Sequence, residues 1–201
     1  NGDLVVKNLF YKAANNKTDN ANGAGVVVKS GGQITGTGSI TIIGNQTAPE
    51  GYAGLFNGLF IDGCTVDIDG DISVSNTKNQ GIYAANSNAK LECANITISN
   101  VGANGLYVNN QNGKLNVQGN VEISNAGQNG LFNVSKTAVV NGNVSIRDIN
   151  GGHNGVRNDG TGNLTIKGDL TLNGIGGTTS ATGRGNAVAS NGKLTVNGDL
   201  T

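Results

Sequence analysis

A glycine, a polar residue and an apolar residue recur in that order along the chain: Gly2-Asp3-Leu4, Gly38-Ser39-Ile40, Gly70-Asp71-Ile72, Gly119-Asn120-Val121, Gly142-Asn143-Val144, Gly168-Asp169-Leu170 and Gly198-Asp199-Leu200. The run Leu91 to Ile98 carries the same alternation with one residue fewer. A second anchor, glycine directly before an apolar residue, keeps step with the first at Gly58-Leu59, Gly81-Ile82, Gly105-Leu106, Gly130-Leu131 and Gly155-Val156. The central period is about two dozen residues, in the range of solenoid repeats. A unit that short cannot bury an apolar face alone, so successive units must stack on one another.

One unit shows how a turn is built. From Gly105 it reads Gly-Leu-Tyr-Val, Asn-Asn-Gln-Asn-Gly, Lys-Leu-Asn-Val-Gln, Gly-Asn-Val-Glu-Ile, Ser-Asn-Ala-Gly-Gln-Asn. Apolar and polar residues alternate within each run, as in half-buried strands, and Gly/Asn clusters separate the runs. Three short strands per turn, each pairing with its copy one turn later, form an all-β parallel β-helix of about seven to eight rungs of roughly 24 residues. The phase assigns inward columns: Val66, Leu91, Leu115, Ala138, Leu164 and Leu194; Ile72, Ile96, Val121, Val144, Leu170 and Leu200; Val74, Ile98, Ile123, Ile146 and Leu172; and Leu59, Ile82, Leu106, Leu131 and Val156. Two residues past the third column stand Asn76, Asn100, Asn125 and Asp148, placed to stack and to satisfy polar groups at a tight turn. Residues 1–201 read as a single β-helix segment of a longer solenoid, since both termini fall in the same phase of the repeat.

Composition narrows the function classes. Thirteen basic and thirteen acidic residues cancel, with no basic stripe, so phosphate neutralisation has no source and nucleic acid is not an expected partner. No apolar run is long enough to span a bilayer, and Asn1 begins no signal-peptide pattern. Cys64 and Cys93 are too few for a disulfide framework. Cys93 falls in the inward column with Ile68 and Val117, whereas Cys64 stacks near Ala89. A four-residue offset along a strand is roughly 13 Å, beyond disulfide reach, so two free thiols are expected, with Cys93 the buried one.

Three strands per coil with an asparagine ladder at a tight turn resemble the right-handed β-helix of pectate lyases, phage tailspikes and bacterial autotransporter passengers. The resemblance covers nearly the whole chain and bears on architecture more than on activity. For a lyase it implies clustered Asp ligands for calcium and a basic residue as proton acceptor; for a polygalacturonase it implies paired aspartates with a histidine. The one histidine, His153, lies near Asp148, Arg157 and Asp159, but Gly152-His153-Asn154 only half matches Gly-His-Gly and lacks an adjacent Asp-Asp pair. Neither a nucleophilic triad nor a zinc site can be assembled from one His and two separated Cys. Asp67-Ile68-Asp69-Gly70-Asp71 is the one acidic concentration, and Asp67 should stack beside Glu92. Like charges opposite one another across strands favour a bridging cation, which makes Asp67, Asp69 and Glu92 candidate calcium ligands; Lys90 or Lys114 could supply the counter-charge instead. No other cofactor is expected.

The longer repeats carry their extra residues at one corner, at about 10–24, 44–57 and 174–185, and insertions on one face of a solenoid often mark its working side. All eight aromatic residues follow that edge: Phe10, Tyr11, Tyr52 and Phe56 in the insertions, and Phe60, Tyr83, Tyr107 and Phe132 at the outward second position of the next strand, with Arg157 continuing the column. A ladder of this kind stabilises a sheet and also offers a ligand surface. The expected function is a non-enzymatic structural and binding module. By its resemblance it is an adhesin-like segment of an exported bacterial surface protein, extracellular, presenting this edge to a host or neighbouring-cell protein or glycan, or to another copy of itself. The alternative is a polysaccharide lyase, hydrolase or tailspike-like depolymerase using the same edge as a sugar groove.

Overall fold

The computed structural model describes residues 2–8, 10–11, 23–45, 53–150, 152–176 and 185–201. Nearly all strands fall into three parallel sheets of seven. The first sheet holds Val26–Val28, Leu59–Asp62, Ile82–Ala85, Leu106–Asn109, Leu131–Asn133, Val156–Asn158 and Val188–Ser190. The second holds Gln33–Gly36, Thr65–Ile68, Lys90–Cys93, Lys114–Val117, Thr137–Val140, Asn163–Ile166 and Lys193–Val196. The third holds Leu4–Lys7, Ile40–Ile43, Ile72–Thr77, Ile96–Val101, Val121–Ala126, Val144–Ile149 and Leu170–Ile175. Each strand pairs with its copy one turn later, giving a right-handed parallel β-helix of about seven rungs. The final anchor, Gly198-Asp199-Leu200, adds only a bridge from Leu200 to Leu170, and Leu200 is 60% exposed, which corrects its assignment to the inward column: no further rung covers it among the described residues. No helix among the described residues is long and apolar enough to cross a membrane.

The inward columns follow the repeat phase. Val66, Leu91, Leu115, Ala138, Leu164 and Leu194 are in register across the second sheet, with Ile34 preceding them. Ile72, Ile96, Val121, Val144 and Leu170 do the same in the third, and all five are fully buried. Parallel strands buried on their inner faces stack like side chains at the rung spacing, so β-branched and leucine residues fill the interior as continuous ladders.

The tight turn lies inside a strand rather than after one. Asn76, Asn100, Asn125 and Asp148 adopt left-handed φ values of 59°, 55°, 53° and 57° within six-residue strands. A single left-handed residue bends the strand without ending its pairing, so Thr77, Val101, Ala126 and Ile149 turn back into the core and are buried. Asparagine tolerates this region because its short carboxamide bonds locally; here Asn100 donates to Asn76 at 3.3 Å and Asn125 to Asn100 at 2.8 Å.

Close approach explains the glycine of the second anchor. A Cβ added at Gly105 or Gly130 would lie 2.5 Å from Ile123 Cγ2 or Ile146 Cγ2, so the corner admits no side chain where the third column passes beneath it. The inward column Val28, Ile61, Ala84, Val108 changes character further along and continues as Asn133, Asn158 and Ser190. Asn133 and Asn158 are wholly buried, and Asn133 Nδ2 donates to Asn158 Oδ1 at 2.8 Å and to the Ser135 carbonyl at 3.0 Å.

Both cysteines are free and both are buried, which corrects the expectation that Cys93 alone would be. Cys64 turns inward at the corner beside Ala89, itself fully buried. Burial, helped by the charge of Asp71, pushes the Cys93 thiol up to about 12, so it packs as a small apolar group.

Leu115 tests the packing. Leu115→Ala should lower unfolding free energy by about 2–5 kcal/mol, and Leu115→Asp, burying an unpaired carboxylate, should abolish cooperative unfolding of the central rungs. Chemical denaturation followed by circular dichroism reads both; a Leu115→Asp protein that melts like the parent would refute the inward assignment.

Candidate functional site

The longer connections leave the third sheet and enter the first, all at one corner. Half or more of each lies outside the described residues, including Tyr52 and the stretches 12–22, 46–52 and 177–184. What is described shows the first two meeting: Phe10–Tyr11 pairs antiparallel with Ala53–Gly54. Phe56, partly buried in the bend that follows, ties them further, its N–H donating to the Gly23 carbonyl at 2.8 Å.

Beside this corner the outward column of the first sheet forms a continuous stack. Phe60, Tyr83, Tyr107, Phe132 and Arg157 are in register on consecutive rungs. Tyr83 and Tyr107 lie nearly parallel at 5.0 Å between centroids, Tyr107 and Phe132 at 4.6 Å, and the Arg157 guanidinium caps Phe132 at 4.6 Å. Phe60 stands at the other end, 5.4 Å from Tyr83 and tilted by 43°. It is outward in phase yet only 5% exposed, unlike Tyr83, Tyr107 and Phe132, which are half-buried. The accessible stretch is therefore Tyr83 to Arg157.

The stack fixes what it can offer. Adjacent rings occupy each other's faces and Arg157 covers the last, so a partner meets ring edges and tyrosine hydroxyls. The Tyr83 hydroxyl accepts from Asn109 Nδ2 at 3.1 Å. Burial raises the Tyr107 phenol above its ordinary value, with Tyr83 and Asp159 adding to the shift and Arg157 opposing it. Asp159 anchors Arg157 through a 2.7 Å bond from Nε and a 2.5 Å contact to Nη2.

The acidic group sits on the outer face of the second sheet. Asp67 and Glu92 are in register, as the repeat phase requires, and Lys90 reaches both, at 2.8 and 2.6 Å. Lys114 contacts Glu92 from the next rung at 2.5 Å. Burial alone would raise the Glu92 carboxyl, but hydrogen bonds from Lys114 and Lys90 outweigh it and hold it at about 2, while Asp67 and Glu92 raise Lys90. Asp69 is exposed in the following bend, outside this strip of alternating charge. A calcium ion at Asp67, Asp69 and Glu92 would have to displace Lys90. Among the described residues no group of three His, Cys, Asp or Glu side chains is arranged to hold a metal. His153 is half-buried at the insertion corner, while Asp148 pairs with Arg147 at 2.9 Å and Asp159 with Arg157.

Two further polar ladders line the corners. One runs Gln80, Asn104, Asn129, Asn154, Asn186, where each side-chain oxygen accepts the next rung's backbone N–H at 2.8–3.2 Å. The other joins Asp3, Ser39, Asp71, Asn95, Asn120, Asn143, Asp169 and Asp199 in the same way at 2.8–3.2 Å. Their sequence signal is the polar residue next to each anchor glycine.

Comparison with family models, curated proteins and solved structures finds no match to this chain.

Glu92 gives the charged strip a pH signature. Its carboxyl falls from 4.5 to about 2 on folding, so the stability it contributes is fully present above pH 4.5 and is lost as pH drops toward 2. Glu92→Gln should remove that part of the acid sensitivity. Thermal melts across this range should show parent and variant converging as pH falls; a constant gap would refute the coupling.

Proposed function

We propose that the chain is a non-enzymatic binding module of an exported bacterial surface protein, adhesin-like in role, in which a rigid β-helix presents the edge formed by Tyr83, Tyr107, Phe132 and Arg157. The observation that carries this reading is the convergence of two independent features on one corner. The described ends of the repeat insertions leave the coil at the same corner as the aromatic stack, on rungs that flank its accessible part, on a scaffold whose other outward columns are mostly Ser, Thr, Asn and paired charges. Half-exposed aromatic edges with hydroxyls at fixed spacing suit recognition of a surface protein or glycan, and rigid aromatic side chains lose little entropy on contact. Export and the autotransporter-like context rest on the resemblance in repeat architecture and belong to the same proposal.

The test separates scaffold from surface. Tyr107→Ser alone should cost about 0.2–1 kcal/mol for each stacked neighbour lost, since no core cavity opens. Replacing Tyr83, Tyr107 and Phe132 together with Ser should abolish binding to cells, matrix proteins or glycans while leaving the β-sheet circular-dichroism signal in place. Binding that persists unchanged in the folded triple variant would remove the stack from the interface, and degradation of an oligosaccharide in the same panel would overturn the non-enzymatic reading.

A further inference from the structure

The chain is rich in asparagine followed by glycine, a pairing that is chemically fragile in a flexible chain because glycine's lack of a side chain leaves its nitrogen free to approach the asparagine carboxamide. Among the described residues the rungs remove that freedom at seven of these pairs, while Asn173-Gly174 is exposed within the strand Leu170–Ile175. In Asn57-Gly58, Asn104-Gly105, Asn129-Gly130 and Asn154-Gly155 the glycine N–H donates to the neighbouring turn at 3.0–3.1 Å. The same holds for Asn141-Gly142, Asn191-Gly192 and Asn197-Gly198, at 2.9–3.2 Å. In Asn104, Asn129 and Asn154 the carboxamide oxygen is also held by the next rung.

Asn112-Gly113 differs in each respect. Asn112 lies in the exposed turn between Leu106–Asn109 and Lys114–Val117, its carboxamide makes no hydrogen bond, and neither does the Gly113 N–H. Beneath the turn, Asn110 is only 8% exposed, packs against Gly113, and has no partner for either carboxamide atom. Gly113 is itself buried, with its carbonyl accepting from Ser135 Oγ at 2.5 Å and Thr137 Oγ1 at 2.9 Å, so what sets this turn apart is the exposed, unbonded Asn112 carboxamide and a glycine N–H that no neighbouring rung holds.

We propose that Asn112 is a self-modifying position, a site at which the folded protein converts asparagine to aspartate and isoaspartate. When the turn opens locally, the Gly113 nitrogen loses its proton to hydroxide and attacks Asn112 Cγ. The new C–N bond closes a five-membered imide, the Cγ–Nδ2 bond breaks, and ammonia leaves with the proton. Water then adds to either imide carbonyl and opens the ring, giving aspartate or, with the main chain rerouted through Cγ, isoaspartate. No redox partner is needed. Each conversion adds one carboxylate to a chain whose formal net charge is zero.

The test holds the folded protein at mildly alkaline pH, digests it, and quantifies aspartate and isoaspartate peptides by mass spectrometry, with a urea-unfolded sample alongside. The Asn112 peptide should convert at least about tenfold faster than any ladder-bound pair in the folded protein, because those pairs must first break rung hydrogen bonds at the glycine N–H, and the difference should shrink in urea. Asn112→Ser should remove the Asn112 share of the acidic shift on ion exchange, quantified against the peptide map, without altering the melt. Conversion of a ladder-bound pair as fast as Asn112 in folded protein, or an Asn112 no faster than they are, would overturn the proposal.

Discussion

Everything in this molecule depends on the pairing of one turn with the next. A strand of three to six residues has no stable existence alone, and its backbone N–H and C=O groups must find partners once its apolar side chains leave water. Here those partners belong to the adjacent copies, in parallel register from Leu4 and Ile40 through to Leu170 and Leu200. Because the pairing repeats, any residue type at a given phase meets its own kind above and below, and the columns of Ile, Leu and Val form without long-range specificity. The same repetition stacks the outward aromatics and sets Asp67 against Glu92, so both the candidate edge and the charge pattern follow from it.

The corners are where such a coil would fail, since they carry backbone groups that strands do not satisfy. Three ladders of small polar side chains meet that need, through Asn76, Asn100 and Asn125, through Asn104, Asn129 and Asn154, and through Asp71, Asn95 and Asn120. A carboxamide or carboxylate at the rung spacing accepts from the neighbouring backbone or side chain and needs no water, which accounts for the abundance of Asn beside Gly in a chain that would otherwise resemble a disordered one.

The inward columns were legible in the sequence because alternation and period both report burial: Val66, Ile72, Val74 and Leu59 and their copies through the central rungs lie where the phase puts them, whereas Leu200 at the last anchor is exposed. The bend at Asn76 was legible as a position but not as a conformation, since alternation counts residues and a left-handed residue shifts the count by one without breaking the strand; Val101 and Ala126 are inward for that reason. Periodicity also could not show that Phe60 is covered while Tyr83 is not, because the difference comes from packing around the end of the stack rather than from register. Nor could it foresee the passage from Val108 to Asn133 inside the coil, where amide bonding to Asn158 and Ser135 stands in for apolar contact. The charge strip was largely visible, with Asp67 and Glu92 readable as neighbours and Lys90 or Lys114 as the counter-charge; the structure adds that Lys90 bridges both carboxylates while Lys114 contacts Glu92.

The corner ladders share one orientation. In each of the three, the donor belongs to the later turn and the acceptor to the earlier one, from Ser39 N to Asp3 Oδ1 through to Asp199 N to Asp169 Oδ1. A finished turn therefore displays side-chain oxygen atoms toward the residues that follow it, while toward the turn before it the same corners present backbone carbonyls, as Gln80 does to Gly58 and Asn104 to Gly81. The coil is thus polar along its axis in its side chains as well as its backbone: its two ends, though built from the same repeat, present different hydrogen-bonding faces.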